Sequence, residues 1–300
     1  MIRIGVDFGG TKIEAAALGA DGGFVSRLRA PNPGDYRGAI ETVRGLVLRV
    51  EAEAGATAGA IGVGMPGSIS PANGLVRGAN SVFLNGMAFD KDLAVALERP
   101  VRVQNDANCF TLSEAIDGAA RGAGVVFGVI IGTGCGGGMV VNGALADGHN
   151  RMAGEWGHTP LPWPTIAERD ALPCWCGRAG CLERYVSGTG FCDDFESATG
   201  RRLTGEAIAA AARAGEAEAD AALERYIDRL ARGLAVVCDI LDPDVIVCGG
   251  GMSNVTEIYD RVGPIIARNV FSDVFDTRVA PALHGDSSGV RGAAWLWPAV

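Results

Sequence analysis

Ile4-Gly5-Val6-Asp7-Phe8-Gly9-Gly10-Thr11-Lys12, running on to Leu18-Gly19-Ala20-Asp21-Gly22, is echoed further along the chain. The second copy is Gly128-Val129-Ile130-Ile131-Gly132-Thr133-Gly134-Cys135-Gly136-Gly137-Gly138, running on to Gly143-Ala144-Leu145-Ala146-Asp147-Gly148. Each copy reads as an apolar strand, a Gly/Thr turn, a second strand and a Gly-containing turn. A repeat of this kind predicts two lobes of like topology, each offering a hairpin turn to a ligand lying between them. The copies differ at one chemically important position, because Asp7 has only apolar Ile130 or Ile131 opposite it. One lobe thus offers a carboxylate for a metal ion, and both offer backbone N–H donors.

The rest of the first half follows as sheet and then helix. Residues 2–8, 12–18 and 24–28 read as strands, and Ile40, Val43, Val47 and Val50 fall at helical spacing before Gly55. Ile61-Gly62-Val63-Gly64-Met65-Pro66-Gly67 is a buried strand ending in a Gly/Pro loop. Residues 101–104 form a shorter strand that delivers Asn105 and Asp106 at its carboxyl end, where open α/β sheets collect ligands. The stretch Asp117-Gly118-Ala119-Ala120-Arg121-Gly122-Ala123-Gly124 suits a lobe boundary. Gly249-Gly250-Gly251 follows a strand over 245–248 and precedes a helix expected to begin near Ser253 or Asn254.

Three hundred residues, 48% hydrophobic and 20% charged, are ample for a large core and suggest two lobes. The opening residues 1–7 lack the charged head and long apolar run of a signal peptide, and no segment approaches about 18 uninterrupted apolar residues. These features predict a cytoplasmic, soluble chain. A net charge of −9 argues against nucleic acid as the main partner, since phosphate backbones need a clustered basic surface. A phosphate ligand must therefore be held locally. Forty-five glycines, many in runs at strand ends, supply backbone N–H groups for that purpose without net positive charge.

A second informative window runs from Gly157-His158 through fifteen residues to Cys174-Trp175-Cys176-Gly177-Arg178-Ala179-Gly180-Cys181-Leu182-Glu183. His158, Cys174, Cys176 and Cys181 make a full tetrahedral N/S set for Zn²⁺ with no position left for water, so the site reads as structural. Glu155 and His158 are three apart on one helical face, and Glu183 follows the last thiol, so the clip would hold carboxylates beside the metal. The remaining cysteines, Cys109, Cys135, Cys192, Cys238 and Cys248, read as buried thiols.

Asp7-Phe8-Gly9-Gly10-Thr11-Lys12 is neither a Walker A loop nor a Rossmann fingerprint. Hydroxyls at Thr11 and Thr133, with free glycine amides, could instead grip β and γ phosphates from two sides. Phosphoryl transfer asks for positioning, charge stabilisation and a base for the attacking hydroxyl. Asp106 is the candidate base. Read alone, Asn105-Asp106 is more readily a turn or helix cap.

Taken together, residues 7–12, 64–67, Asn105-Asp106, Gly132-Thr133-Gly134, Glu155-x-x-His158, the Cys174-x-Cys176-Gly177-x-x-Gly180-Cys181-x-Glu183 run, Gly249-Gly250-Gly251 and Gly289-Val290-Arg291-Gly292-Ala293-Ala294 resemble the ROK sugar kinases. The resemblance implies an α/β, actin-like and hexokinase-like ATPase fold, with two lobes of duplicated topology and an interlobe cleft. The expected lobes are 1–117 plus about 289–300, and 118–288 with the zinc site. It further implies ATP with Mg²⁺ as cofactor, its phosphates near Asp7, Gly9, Gly10, Thr11, Lys12, Gly132, Thr133 and Gly134 and its adenosine near Gly249, Gly250 and Gly251. The hexose would be held by Gly67, Asn80, Asn105, Asp106, Glu155, His158 and Glu183, with Asp106 as base, and the protein is expected to be a homodimer. His158 would serve zinc through one ring nitrogen and a sugar hydroxyl through the other.

Within that family, residues 65–71, 80–93, 161–163 and 284–288 look closest to the bacterial fructokinase (manno(fructo)kinase) branch, implying fructose phosphorylation with mannose or glucose as further substrates. N-acetylglucosamine kinase is the alternative. Sugar-responsive repressors share the fold but carry a helix-turn-helix segment before the first strand, whereas here residues 4–8 open the chain. A non-catalytic sugar sensor is disfavoured while Asp7, Thr11 and Asp106 are all present.

Overall fold

β1 (Arg3–Phe8), β2 (Lys12–Leu18) and β3 (Phe24–Pro31) form an antiparallel meander in the computed structural model, which describes residues 2–297. The strands alternate around Gly-rich turns as the sequence predicts, with Phe8 paired to Ile13 across the Gly9-Gly10-Thr11 turn. β3 runs three residues beyond the expected end at 28, and its added arginine has a role described below. Helix α1 (Tyr36–Ala54) then crosses the sheet. Asp35 caps its start by accepting from the Gly38 N–H, and Gly55 closes it at φ 62°, a backbone state that glycine reaches without a Cβ clash. Its buried stripe, Ala39, Val43, Leu46, Val47 and Val50, packs on the sheet.

β4 (Ile61–Met65) joins β1 in parallel, a small hairpin of β5 (Ser68–Ile69) and β6 (Val76–Arg77) follows, and α2 (Phe89–Leu97) leads to β7 (Val101–Asn105). The first sheet has the order β3-β2-β1-β4-β7. Helix α3 (Asp106–Ile116) leaves β7 directly, and the chain's last described helix, α9 (Ser288–Trp295), packs beside it. This approach is glycine-dependent. A Cβ at Gly292 would land 1.6 Å from the Cys109 carbonyl oxygen, and one at Gly62 would land 1.8 Å from the Ala293 oxygen. No side chain fits there without separating the helices from each other or from the sheet.

The second sheet has the order β10-β9-β8-β11-β12, from β8 (Val125–Ile131), β9 (Cys135–Val141), β10 (Ala144–Leu145), β11 (Val245–Gly249) and β12 (Arg278–Pro281). β8 takes the place of β1, with an antiparallel hairpin partner on one side and a parallel strand on the other. The repeat seen in the sequence is thus a repeat of topology. Helices α4 (Glu183–Val186), α5 (Gly188–Thr199), α6 (Gly205–Arg213), α7 (Ala217–Leu241) and α8 (Glu257–Asn269) complete this half. Each half has its own apolar core, one built on Val6, Val63 and Phe89, the other on Val129, Tyr226 and Leu230.

The contacts divide the chain into residues up to Arg121, with Gly143–Ala153 and the segment from His284, and a second unit of Gly122–Asn142 with Gly154–Leu283. Residues 118–121, 143–153 and 284–288 therefore belong with the first unit, whereas the expected boundaries put them in the second. Residues 298–300 of the expected closing segment, like Met1, lie outside the described residues. The helix expected from Ser253 begins instead at Glu257, because residues Gly251–Asn254 form a 3₁₀ turn closed by the Ser253 hydroxyl on the Gly250 carbonyl. Among the described residues no helix is long and apolar enough to cross a membrane.

Candidate active site

In the first unit the carboxyl ends of β1, β4 and β7 lie side by side, since Asp7 pairs with Gly64 and Gly64 with Gln104. The turn after β1 is closed by Gly9 N–H on the Lys12 carbonyl at 3.0 Å. Asn32 braces it from β3's far end, donating from Nδ2 to the Gly9 carbonyl at 2.8 Å and from its own N–H to the Thr11 carbonyl at 2.9 Å. Gly10 and Thr11 are left exposed at the tip.

Asp7 is half-buried beside this turn. Burial, then the Asp106 and Glu14 carboxylates, push its carboxyl up to about 6, against the opposing pull of Lys12 and Arg29. Glu14 stands directly across from Asp7 in the β1–β2 pair and is itself buried. Arg27 and Arg29 on β3 both donate to it, so its charge is neutralised from the neighbouring strand. The Asp106 charge thus disfavours ionisation of Asp7. Gly289 at the start of α9 abuts Asp7, where a Cβ would lie 3.0 Å from Oδ2.

Asn105 and Asp106 open α3, and their roles divide. Asn105 accepts the Ala107 N–H through Oδ1 at 2.9 Å and donates Nδ2 to the Gly67 carbonyl at 3.1 Å. It is the helix cap. Asp106 is exposed, with Oδ1 accepting the Ala107 N–H at 2.9 Å. Gly67, at φ 77°, lies under the 77–79 loop, where a Cβ would meet the Arg77 carbonyl at 2.4 Å. Asn85 clamps that loop through both its amide atoms on Ala79, each at 2.9 Å, and so supports the exposed Asn80 beside it.

In the second unit the corresponding groups gather at the start of β9. The Gly132-Thr133-Gly134 turn is closed by Gly132 N–H on the Gly134 carbonyl at 3.0 Å. Helix α5 points its first turn at it. Ser187 caps that helix, Gly188 N–H donates to the Gly132 carbonyl at 2.7 Å, and the Thr189 hydroxyl donates to the Thr133 carbonyl at 2.9 Å. Positive backbone potential at a helix start suits an anion. Gly250, at φ 82°, lets the chain turn against the Ile131 carbonyl, which a Cβ would approach to 2.6 Å. A cavity of about 870 Å³ opens beside these turns, lined by Thr133, Thr189, Leu203, Gly205, Gly251 and Met252 among others. Gly251 lines it, while Gly249 closes β11.

Glu155 and His158 flank one 3₁₀ turn, Trp156–His158. That turn is fastened to β9 by Trp156, whose Nε1 donates to the Gly136 carbonyl at 3.0 Å, and by Gly157, whose Cβ would fall 2.3 Å from the Cys135 carbonyl. The N–H of the same Cys135 donates to Glu183 Oε2 at 2.9 Å. The 155–158 turn and Glu183, well separated in sequence, thus both meet β9 at Cys135.

Ligand atoms of His158, Cys174, Cys176 and Cys181 all lie within 4.8 Å of one another. Cys176 and Cys181 sulfurs are 3.5 Å apart and Cys174 Sγ is 3.8 Å from His158 Nδ1. Edges of about 3.7 Å follow from a tetrahedron with metal–sulfur arms of about 2.3 Å, so the residues fit a four-coordinate metal. The Arg178 backbone lowers the Cys176 thiol, while burial and the neighbouring sulfurs push Cys181 up to about 12.

Several site residues escaped the sequence reading. The loop between His158 and Cys174 is held by α7, where buried Arg229 and Arg232 both grip Glu168 and Arg232 also donates to the Pro162 and Trp163 carbonyls at 2.7 and 2.9 Å. Thr165-x-x-Glu168 is a capping box, a signal present in the sequence. Asn32, Glu14, Asn85 and the cavity-lining residues of α6 carry no such local signal.

Two parallel-plus-hairpin sheets, each ending in a Gly/Thr turn, define an actin-like, hexokinase-like kinase fold, and residues 3–300 match the ROK family; the chain belongs to it. It is 40% identical over 297 residues to an N-acetyl-D-glucosamine kinase of Vibrio cholerae, covering 97% of this chain and 98% of that one. It is 39% identical over 297 residues to an N-acetyl-D-glucosamine kinase of Pectobacterium atrosepticum, covering 97% of each. Among solved structures, a ROK hexokinase from Thermus thermophilus superposes with a TM-score of 0.87 at 28% identity, covering 98% of this chain and 97% of that one. A ROK glucokinase from Streptomyces griseus, solved with glucose and AMPPNP, superposes with a TM-score of 0.80 at 27% identity, covering 99% of each. The chain is a ROK-family sugar kinase.

Proposed function

We propose that the chain is an ATP-dependent N-acetyl-D-glucosamine kinase. The observation that carries this reading is the match at 38–40% identity along nearly the whole chain to N-acetyl-D-glucosamine kinases. It favours the second of the two sugars expected from the sequence over fructose.

In this reading Asp106, exposed at the first turn of α3, takes the proton of the attacking sugar hydroxyl. The sugar oxygen forms its bond to the γ-phosphorus as the bond from that phosphorus to the β,γ-bridging oxygen breaks, and ADP leaves. Glu155, His158 and Glu183 receive the sugar hydroxyls in the second unit, with Gly67 and Asn80 lining the sugar side of the first. Asn105 acts through its cap and its bond to Gly67 rather than as a free ligand. The Gly9, Gly10, Thr11, Lys12 turn and the Gly132, Thr133, Gly134 turn would hold phosphates, Asp7 would hold Mg²⁺, and the cavity beside Gly250 and Gly251 would take the adenosine.

His158, Cys174, Cys176 and Cys181 would hold a structural Zn²⁺, which when bound would supply positive charge and rigidity beside the sugar ligands. With Nδ1 on the Cys174 side, His158 would keep Nε2 for a sugar hydroxyl. The reaction belongs in the cytoplasm, where ATP is available, and the protein works as a homodimer.

The test is initial-rate ADP formation from Mg-ATP with N-acetylglucosamine, N-acetylmannosamine, glucose, mannose and fructose, compared by kcat/KM. The highest value is expected for N-acetylglucosamine. A highest value for fructose would restore the fructokinase reading, and silence on every sugar would make the chain a sensor.

A further inference from the structure

Trp175 stands between Cys174 and Cys176 and is 74% exposed. An indole in that position gains little from burial, yet its polar end is fully engaged. Nε1–H donates to Glu183 Oε1 at 2.7 Å, and the ring meets the His158 imidazole edge to face, centroids 5.0 Å apart and planes at 79°. Glu183 Oε2 is held by the Cys135 N–H at 2.9 Å. Each oxygen of this carboxylate therefore has one donor, and only the indole is a side chain that substitution can remove.

We propose that Trp175 is the positioning residue of the sugar site, fixing Glu183 through its N–H and His158 through its ring so that both meet the sugar hydroxyls in one preset geometry. The proposal rests on Glu183 and His158 being sugar ligands, as proposed above. A carboxylate held by one backbone donor alone retains rotation about its own side chain, and ordering it at the moment of binding costs affinity. The indole removes that cost beforehand. It also couples the Cys/His cluster to the sugar, since Trp175 lies between two of the cluster's sulfurs in sequence and bonds to a group outside it. Because the ring is exposed, its loss removes little core packing, so a change in sugar affinity can be read apart from folding.

The experiment uses the full chain in its metal-loaded state, with N-acetylglucosamine or whichever hexose the unmodified enzyme turns over fastest. Trp175→Phe keeps a ring against His158 and loses the donor; Trp175→Ala loses both; Glu183→Gln is measured alongside. Trp175→Phe is expected to raise the sugar KM about tenfold and Trp175→Ala further, with the KM for Mg-ATP, the zinc content and Tm unchanged. The sugar-induced change in tryptophan fluorescence should be largely lost in both. If Glu183→Gln raises the sugar KM while Trp175→Phe leaves KM and the fluorescence response intact, the positioning role is overturned and the sugar-site reading stands. If Glu183→Gln also leaves KM unchanged, the sugar-site reading itself falls. A Trp175→Phe protein that loses its zinc would overturn the proposal by making the indole part of the metal knuckle's fold.

Discussion

The two Gly/Thr hairpins share a strand order and a three-residue turn, but a carboxylate reaches each by a different route. Asp7 sits on the strand that enters the first turn, where burial and then the Asp106 and Glu14 carboxylates push its carboxyl up to about 6. The second turn has apolar Ile130 and Ile131 there, and Glu183 arrives from α4, fastened by the Cys135 N–H and the Trp175 indole. Repetition of the fold has repeated the backbone donors, while the acids were placed independently. The first unit brings its acids close to one another, whereas the second fastens its acid from two sides.

The sharpest way to break this contrast is Asp106→Asn. It is expected to lower kcat by about 10³-fold while calorimetry still shows sugar binding. Near-normal turnover would take the chemistry away from the first unit.

Glu168→Gln tests whether the second unit's seat depends on its anchor. Burial raises the Glu168 carboxyl, but the Arg229 hydrogen bond, the Thr165 N–H and Arg232 outweigh it and hold it at about 2. Removing that charge takes one anion from two buried guanidiniums, leaving Arg229 on Asp194 and Arg232 on Asp228, at a cost of about 2 kcal/mol read by denaturant unfolding. Because the folded pKa lies below the unfolded value of about 4.3, Glu168 stabilises the fold above that pH and its contribution drains away as pH falls toward 2. The variant should therefore show a flatter loss of stability between those two values; an unchanged acid limb would remove Glu168 from the anchor.

Cys176→Ser should release zinc and raise the sugar KM about tenfold, with the KM for Mg-ATP much less affected. A zinc-free protein with an unchanged sugar KM would separate the metal from the sugar seat. The smallest effect concerns the acid pair. With Asp7 raised from 3.8 to about 6, the unfolded chain gives up this proton first, so the ligand-free protein loses stability as pH rises through that interval. Asp7→Asn should remove that loss and raise the ligand-free Tm by a few degrees at neutral pH, even as turnover falls; an unchanged Tm would show that the pair is not strained.

Much of this contrast was legible in the sequence. The repeat around Gly9-Gly10-Thr11 and Gly132-Thr133-Gly134 foretold the duplicated topology, and the His158 to Cys181 spacing brought four ligands to one point. Both signals are local, so a linear reading finds them. What it missed depends on partners that folding brings from elsewhere, such as Arg29 beside Glu14, Arg229 beside Glu168 and Asn32 under the first turn. The helix placed at Ser253 failed because a serine that signals a cap spent its hydroxyl on the Gly250 carbonyl. The cap reading weighed for Asn105 is the one the structure shows, with Oδ1 on the Ala107 N–H and Nδ2 on the Gly67 carbonyl. Sugar identity was the hardest point, because the motifs that reveal a sugar kinase serve the shared phosphoryl chemistry and leave the sugar's own substituents unread.

The most direct measurement is a competition. N-acetylglucosamine and fructose at equal concentration share limiting Mg-ATP, and the ratio of the two sugar phosphates, read by mass spectrometry, is the ratio of their kcat/KM values. The account predicts N-acetylglucosamine phosphate in at least about tenfold excess, roughly 1.4 kcal/mol of transition-state preference. An excess of fructose phosphate would contradict it.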